Sequence, residues 1–388
     1  MDLRVQLIEE YNEGASVVDL AETYEVSRKT VYKWLARHEE NGAAGLADRS
    51  RKPQHSPTEL SDAIVKKIIA ARQCWKWGPR KLRIKLAETN PRIIWPVEST
   101  IGEVLKRAGL TLRRKLRVRT PPYAQPFATT EAANQTWCAD YKGWFRTLDG
   151  TRCDPLTITD AHSRYLLRCQ ITPKTDTTHV SAVFDAAFKQ YGLPLVIHTD
   201  NGTPFASRAP GGLSRVSMRW VKLGIVPERS RPASPQDNGR HERLHLTLKQ
   251  STLSPPQANV RRQQEAFDTF QLEYNEERPH EALDDATPAS QYSLSPRKMP
   301  RRLPDLVYDD DVHVRRISQQ GSLKWKSERT FLSEIFAYEW IGLHAIDERH
   351  FEVLYGSIRL GFLDTFRHTF HRKLSAAAER RLGLRPPF

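Results

Sequence analysis

Between Leu3 and Arg37 the apolar residues recur at helical spacing: Val5, Ile8 and Tyr11, then Val18 and Ala21, then Val31, Trp34 and Leu35. The pattern predicts three short helices. Gly14 can end the first, while Ser16 and Ser27 can cap the second and third by accepting hydrogen bonds from otherwise unpaired backbone N–H groups. This is helix-turn-helix punctuation. If the third helix buries Val31, Trp34 and Leu35, then Arg28, Lys29, Tyr32 and Lys33 face outward, within reach of phosphates and base edges. The alternative is a plain three-helix bundle with a solvated basic face. A second unit of the same kind follows the basic, proline-containing link Asp48 to Pro57, with helices near 59–73, 79–87 and beyond Ser99, closed by Gly109. Its outward residues are Thr100, Glu103, Lys106 and Arg107.

From Thr111 to Pro126 the chain carries Arg113, Arg114, Lys115, Arg117 and Arg119 ahead of Pro121 and Pro122, which favours an extended link. Such an arm can follow a DNA groove or remain a solvated linker. After Glu131 the pattern changes to strands. Segments 136–145 and 156–159 flank a turn at Asp149-Gly150, and 165–171 reads as a third strand. A helix over 177–191 and a buried-looking strand over 195–198 complete an α/β core. Residues 257–277 are again helical and Pro279 stops them. The basic, proline-containing stretch Ser295 to Pro304 marks a boundary. Beyond it, alternation at Val312 and Val314, Phe351, Val353 and Tyr355, and Ile358 and Leu360, with a tight Gly356-Ser357 turn, predicts a small sheet, taken as a compact β-barrel.

The expected fold class is therefore multidomain: all-α helix-turn-helix units, an α/β core and a small C-terminal β-barrel. Its expected domains are 1–52, 53–120 including the basic linker, 121–300 and 301–388. The chain length of 388 residues agrees with several domains of roughly 150 residues each. With 60 Lys plus Arg against 46 Asp plus Glu, the formal charge of +14 makes an anionic polymer, nucleic acid first, the natural partner. Cys74, Cys138, Cys153 and Cys169 contain no CxxC pair and no zinc-finger spacing, so reduced structural thiols are expected. No charged-then-apolar leader and no bilayer-length apolar run is present, and a soluble, cytoplasmic protein without a membrane partner is expected.

Three carboxylates carry the chemistry. Asp140 sits in the strand WCADYKGWF among Trp137, Ala139 and Trp144, where an uncompensated carboxylate is costly. Asp200 follows an apolar strand in HTDNG, at the strand end where the chain turns through Asn201-Gly202. Glu242 lies in SPQDNGRHERLHLTLK, early in a helix that Asp237 or Asn238 can cap. Two aspartates on strands of one sheet and a glutamate on a following helix can converge. Their hard oxygen ligands favour Mg²⁺ or Mn²⁺. Two such ions suit in-line phosphoryl displacement, the chemistry of nucleases.

The strand WCADYKGWF, HTDNG, the SPQDNGRHER helix and the later YNEERPHEAL followed by TP resemble, in that order over Glu131 to Tyr292, the ribonuclease-H-like integrase core of DDE insertion-sequence transposases, relatives of retroviral integrases. The paired amino-terminal helix-turn-helix units and terminal β region resemble that family's layout too. The resemblance implies that Asp140, Asp200 and Glu242 are the catalytic and metal-binding triad, holding two ions per active site. It also implies that Asn238 and Gly239 shape the turn before the glutamate helix and that Lys249, seven residues on and on nearly the same helix face, meets DNA. His245 shares that face and is expected to be structural. Arg278, Pro279 and His280 resemble the closing motif, read as packing first and DNA contact second. The interval from Asp200 to Glu242 is longer than relatives usually have, and Ala206 to Arg219 around Gly211-Gly212 looks like the surplus loop. The zinc module of retroviral integrases has no counterpart among His38, His55, Cys74 and Cys138.

Cleavage at the terminal inverted repeats of a mobile element, followed by joining to target DNA, is the implied activity. Double-stranded DNA is the implied partner, with a homo-oligomer of at least two copies on DNA. A bacterial cytosolic, nucleoid-associated location follows from that activity. The rivals are a DNA-binding regulator on the same fold and a metal-dependent nuclease that does not join.

Overall fold

The computed structural model describes residues 3–48, 59–111, 130–230 and 239–374. The expected basic arm with Arg113, Arg114 and Lys115, and the capping residues Asp237 and Asn238, lie outside them. The chain divides into two compact units, Met1–Val65 and Lys66–Phe388.

In the first unit, α1 (Leu3–Asn12), α2 (Val17–Thr23) and α3 (Arg28–Asn41) form the expected trio. The caps act as anticipated: Ser16 accepts from the Asp19 N–H and Ser27 from the Thr30 N–H, both at 3.2 Å. Leu7, Ile8, Leu20, Val31, Trp34 and Leu46 make the core. Trp34 is its keystone: the Arg4 guanidinium sits 4.1 Å from its ring centre and also donates to the Leu46 carbonyl at 2.7 Å.

The second unit begins within α4 (Asp62–Trp75), and continues with α5 (Pro79–Thr89) and α6 (Glu98–Arg107); these helices bury Ile68, Leu82, Leu86, Ile101 and Leu105. These helices are fastened to the rest of the unit. The Trp77 indole donates to Glu273 at 3.0 Å and Arg80 pairs with Asp285 at 2.7 Å. The central sheet comprises β1 (Thr136–Tyr141), β2 (Phe145–Arg146), β3 (Arg152–Asp160), β4 (Leu166–Thr172), β5 (Val196–Thr199) and β6 (Val226–Arg229). Its order is β2-β3-β1-β5-β6, with β4 also paired to β3, and the β1–β5 and β5–β6 pairs are parallel. Helices α7 (Thr177–Tyr191) and α8 (Arg215–Lys222) pack into a core with Trp137, Phe184, Phe188, Phe205 and Trp220. A second core joins β4 to α9 (Gly239–Thr252) and α10 (Val260–Glu276) through Leu166, Leu244, Leu248, Phe267 and Phe270. The short α11 (Pro288–Gln291) follows.

The terminal region holds β7 (Val312–Arg316), β8 (Ser322–Trp325), β9 (Glu328–Phe331), β10 (Trp340–Ala345), β11 (His350–Tyr355), β12 (Ile358–Asp364) and β13 (Thr369–His371). The expected closed barrel is not what forms among the described residues. A five-stranded antiparallel sheet, β13-β12-β11-β10-β7, stands beside a separate β8-β9 hairpin. The hairpin runs next to both sheet edges, and the Thr330 hydroxyl donates to the His368 carbonyl at 3.2 Å, but no ladder closes the circle. Alternation in the sequence marked the strands, but the edge strands β7 and β13 lie beside β8 and β9 without pairing to them.

The surplus interval is not a free loop either. Its second half is α8, opened by a capping box between Ser214 and Ser217. Val216 and Trp220 face the central core, whereas Leu213, Met218 and Val221 join the terminal sheet's core with Leu343, Val353, Tyr355 and Leu360.

Candidate active site

Asp140 is the fifth residue of β1 and half-buried. Its register partner in β3 is Thr157, and on the other side Ala139 faces Thr199 of the parallel β5. Asp140 and Asp200 are therefore the next residues in register at the C-terminal ends of adjacent parallel strands, where strand spacing is about 4.8 Å. Asp200 is exposed and accepts from the Gly202 N–H at 3.1 Å. The side chain of Asn201 donates to the Ser230 carbonyl at 2.7 Å and the Ser230 N–H returns to Thr199, which fixes the strand end that presents Asp200.

Glu242 is exposed in the first turn of α9. The helix is held to the sheet through a buried threonine. The Thr157 hydroxyl donates its one proton to the Asp140 carbonyl at 3.1 Å, so its oxygen must accept from His245 Nε2 at 2.8 Å. His245 is accordingly a neutral Nε2–H tautomer, and burial, with Lys142 nearby, pushes its pKa down to about 4. His241, one turn earlier, is pushed down to about 3 by burial and then by His245 and His198. Both rings serve as neutral packing, as expected for His245. Gly239 begins the helix.

Among the described residues no group of three His, Cys, Asp or Glu side chains is gathered closely enough to hold a metal ion. The two aspartates are placed side by side by the sheet, and the glutamate arrives from α9. The donor chemistry, all carboxylate oxygen, fits a hard divalent cation.

Lys249 is exposed on α9. Beside it lies Lys142, half-buried, whose amine is pushed down by burial and then by Lys249. Sequence reasoning passed over Lys142, which lies two residues after Asp140, just beyond the end of β1. On α3, Arg28, Lys29, Tyr32 and Lys33 are all exposed. On α6, Lys106 and Arg107 are exposed, Lys106 lies 3.6 Å from Glu103, and Thr100 is half-buried.

Comparisons with known proteins agree with this architecture. The family described as "Integrase core domain" matches residues 130–235 and, in a second form, 223–288. A "Helix-turn-helix domain" matches 3–54 and a "Homeodomain-like domain" 30–105. An uncharacterized protein of insertion element IS407 from Burkholderia multivorans is 22% identical over 241 residues, covering 61% of this chain and 82% of that one. The Gag-Pol polyprotein of baboon endogenous virus is 34% identical over 80 residues, which is 20% of this chain and only 4% of the polyprotein. Among solved structures, the magnesium complex of the HTLV-2 integrase catalytic core domain aligns at a TM-score of 0.34 and 17% identity, covering 42% of this chain and 98% of that one. A simian T-cell lymphotropic virus intasome aligns at 0.38 and 13%, covering 75% and 97%. The chain therefore carries helix-turn-helix and homeodomain-like domains ahead of an integrase core domain, and is similar to a protein of a bacterial insertion element.

Proposed function

We propose that this protein is a transposase that cuts DNA at the terminal inverted repeats of its element and joins the freed ends to target DNA, using Asp140, Asp200 and Glu242 as catalytic metal ligands. The observation that carries the reading is the register of β1 against β5, which sets Asp140 and Asp200 at neighbouring strand ends. Two Mg²⁺ or Mn²⁺ ions held there would activate the attacking oxygen, stabilise the leaving one and offset the repulsion among three carboxylates. In the first step water displaces the 3′-oxygen of the scissile phosphodiester. In the second, the resulting 3′-hydroxyl displaces an oxygen of a target phosphodiester, with no covalent enzyme intermediate. Lys142 and Lys249 steady the strand beside the carboxylates, while Thr157 and His245 hold α9 and hence Glu242 in place. The exposed Arg28, Lys29, Tyr32 and Lys33 of α3, with Thr100, Lys106 and Arg107 of α6, contact the repeats. The basic stretch Arg113 to Lys115 follows the backbone. Two ends must be handled together, so a homo-oligomer on DNA, acting in the bacterial cytosol, belongs to the same reading.

The test is a strand-transfer assay with purified protein, labelled DNA carrying the element's end and a plasmid target, with Mg²⁺ or with EDTA. Metal-dependent joined product, absent in Glu242→Gln, is the expected result. Hydrolysis without joining would identify a nuclease, and binding without either reaction a regulator.

A further inference from the structure

The second unit gathers basic side chains from four places in the chain. Lys81 comes from α5, Arg164 from the β3–β4 turn, Arg243 from α9, and Arg278 from the Arg-Pro-His motif after α10. Lys81 lies within electrostatic reach of Arg278 and Arg243, Arg164 of Arg243, and His280 of Lys81, Arg278 and Arg164. Among the described residues none of the four cations has a carboxylate within ion-pair distance.

The neighbouring acids are mostly engaged elsewhere, although Asp285 and Glu281 still act on Lys81 and Asp285 Oδ1 is buried without a hydrogen-bond partner. Arg80 takes Asp285 at 2.7 Å and Glu281 at 3.3 Å, Trp77 donates to Glu273, and Asp160 accepts from the Asn134 and Ser163 backbone N–H groups and the Ser163 hydroxyl. Arg164 Nε and His280 Nε2 are buried without a hydrogen-bond partner. Arg164 also adopts a left-handed backbone, φ 66°, which costs a non-glycine residue energy. Half-buried like charges and orphaned polar nitrogens are each unfavourable in a fold that needs them only for packing. A bound anion offsets the repulsion among the cations.

We propose that Lys81, Arg164, Arg243 and Arg278, arranged around His280, form a seat for a backbone phosphate of the DNA strand being processed. The exposed Arg243, adjacent to Glu242, marks its open end. The seat gives the Arg-Pro-His motif a part in substrate binding: Arg278 supplies charge while its guanidinium lies 5.8 Å from the centre of the Trp77 ring, so the helical and catalytic parts of the unit grip one strand together. Electrostatics agrees, because burial and then Arg278 push the Lys81 amine down to about 7, a cost that an added anion reverses.

The inference rests on the DNA-cleaving reading, and the two are separable. The probe is a short duplex of arbitrary sequence, its binding to the full chain followed by fluorescence anisotropy across a salt series. Lys81→Gln should lower the slope of log affinity against log salt by about 0.9, the value of one phosphate contact, and weaken binding several-fold. Its thermal midpoint without DNA should hold or rise, since a like charge has left the cluster. Arg278→Gln should lower the slope too. Unchanged slopes in both variants overturn the seat, as does a lowered midpoint with an unchanged slope, the mark of a purely structural cluster. If Arg278→Gln fails to fold, Lys81→Gln decides. Metal-dependent nicking by the wild type with unchanged slopes sinks the seat alone. Reduced slopes without any nicking support the seat and sink the reaction.

Discussion

Replacing Thr157 with valine keeps the shape of a fully buried side chain and removes only its hydroxyl. That hydroxyl serves two partners, the Asp140 carbonyl at 3.1 Å and His245 Nε2 at 2.8 Å. Leaving a buried polar group unsatisfied costs about 1–3 kcal/mol, so the loss of both bonds should total about 2–6 kcal/mol. The histidine cannot escape by taking a second proton, because its pKa is already near 4. If as little as about 1.4 kcal/mol of the loss falls on the placement of Glu242, DNA nicking slows about tenfold. Urea denaturation of the full chain and nicking of a labelled duplex at saturating Mg²⁺ measure the two effects. Thr157→Ser restores the hydroxyl and should recover the nicking rate, while giving up about 1 kcal/mol of packing. Wild-type nicking by the valine variant, or failure of serine to rescue, would refute the argument that this threonine positions α9.

Asp200→Asn retains shape but not charge, and should abolish metal-dependent cleavage while leaving duplex binding nearly unchanged; a nicking assay that still shows product removes Asp200 from the site. Lys29→Ala on the exposed face of α3 should lower the salt slope of duplex binding by about 0.9 without moving the thermal midpoint, and an unchanged slope would leave this helix off the backbone. The Arg349 guanidinium, 2.8 and 2.7 Å from Asp364, together with backbone N–H groups, holds that carboxyl well below its ordinary pKa of 3.8. A folded-state value below the unfolded one adds stability that is complete above about pH 5 and is lost as pH falls through about 4 and lower. Denaturation between pH 6 and pH 3, measured for the wild type and Asp364→Asn, should therefore show a stability gap that is full at pH 6 and begins to narrow towards pH 3.

The helix α7 was legible to its ends, because Asp176 caps it, Gly192 stops it with φ 82°, and Val180, Phe184 and Phe188 mark one buried face. The strand β6 was not. Pro227 argues against a strand, and the residues around it are largely exposed. Proline survives there because β6 is the sheet's edge, where one side of the backbone needs no ladder bond. The helix α8 was missed for another reason: Arg215, Arg219 and Lys222 do fall on one face opposite its buried residues, but the helix is only eight residues long and follows Gly211-Gly212, which read as loop. Asp140 and Asp200 were legible as residues, but their adjacency depends on a parallel pairing between segments far apart in the chain, which no local pattern encodes. The cluster around His280 was invisible for the same reason, being assembled from four separate places. The barrel expectation failed on pairing alone, since alternation identifies strands without saying which edges meet.

Because α8 gives one face to the central core and the other to the terminal sheet, the catalytic and terminal parts should not melt separately. A fragment ending near residue 300 would expose Leu213, Met218 and Val221 to water, and is expected to self-associate rather than remain a monodisperse catalytic core. Heating the full chain should instead show both parts unfolding in one cooperative transition, making the terminal sheet a condition of the core's solubility.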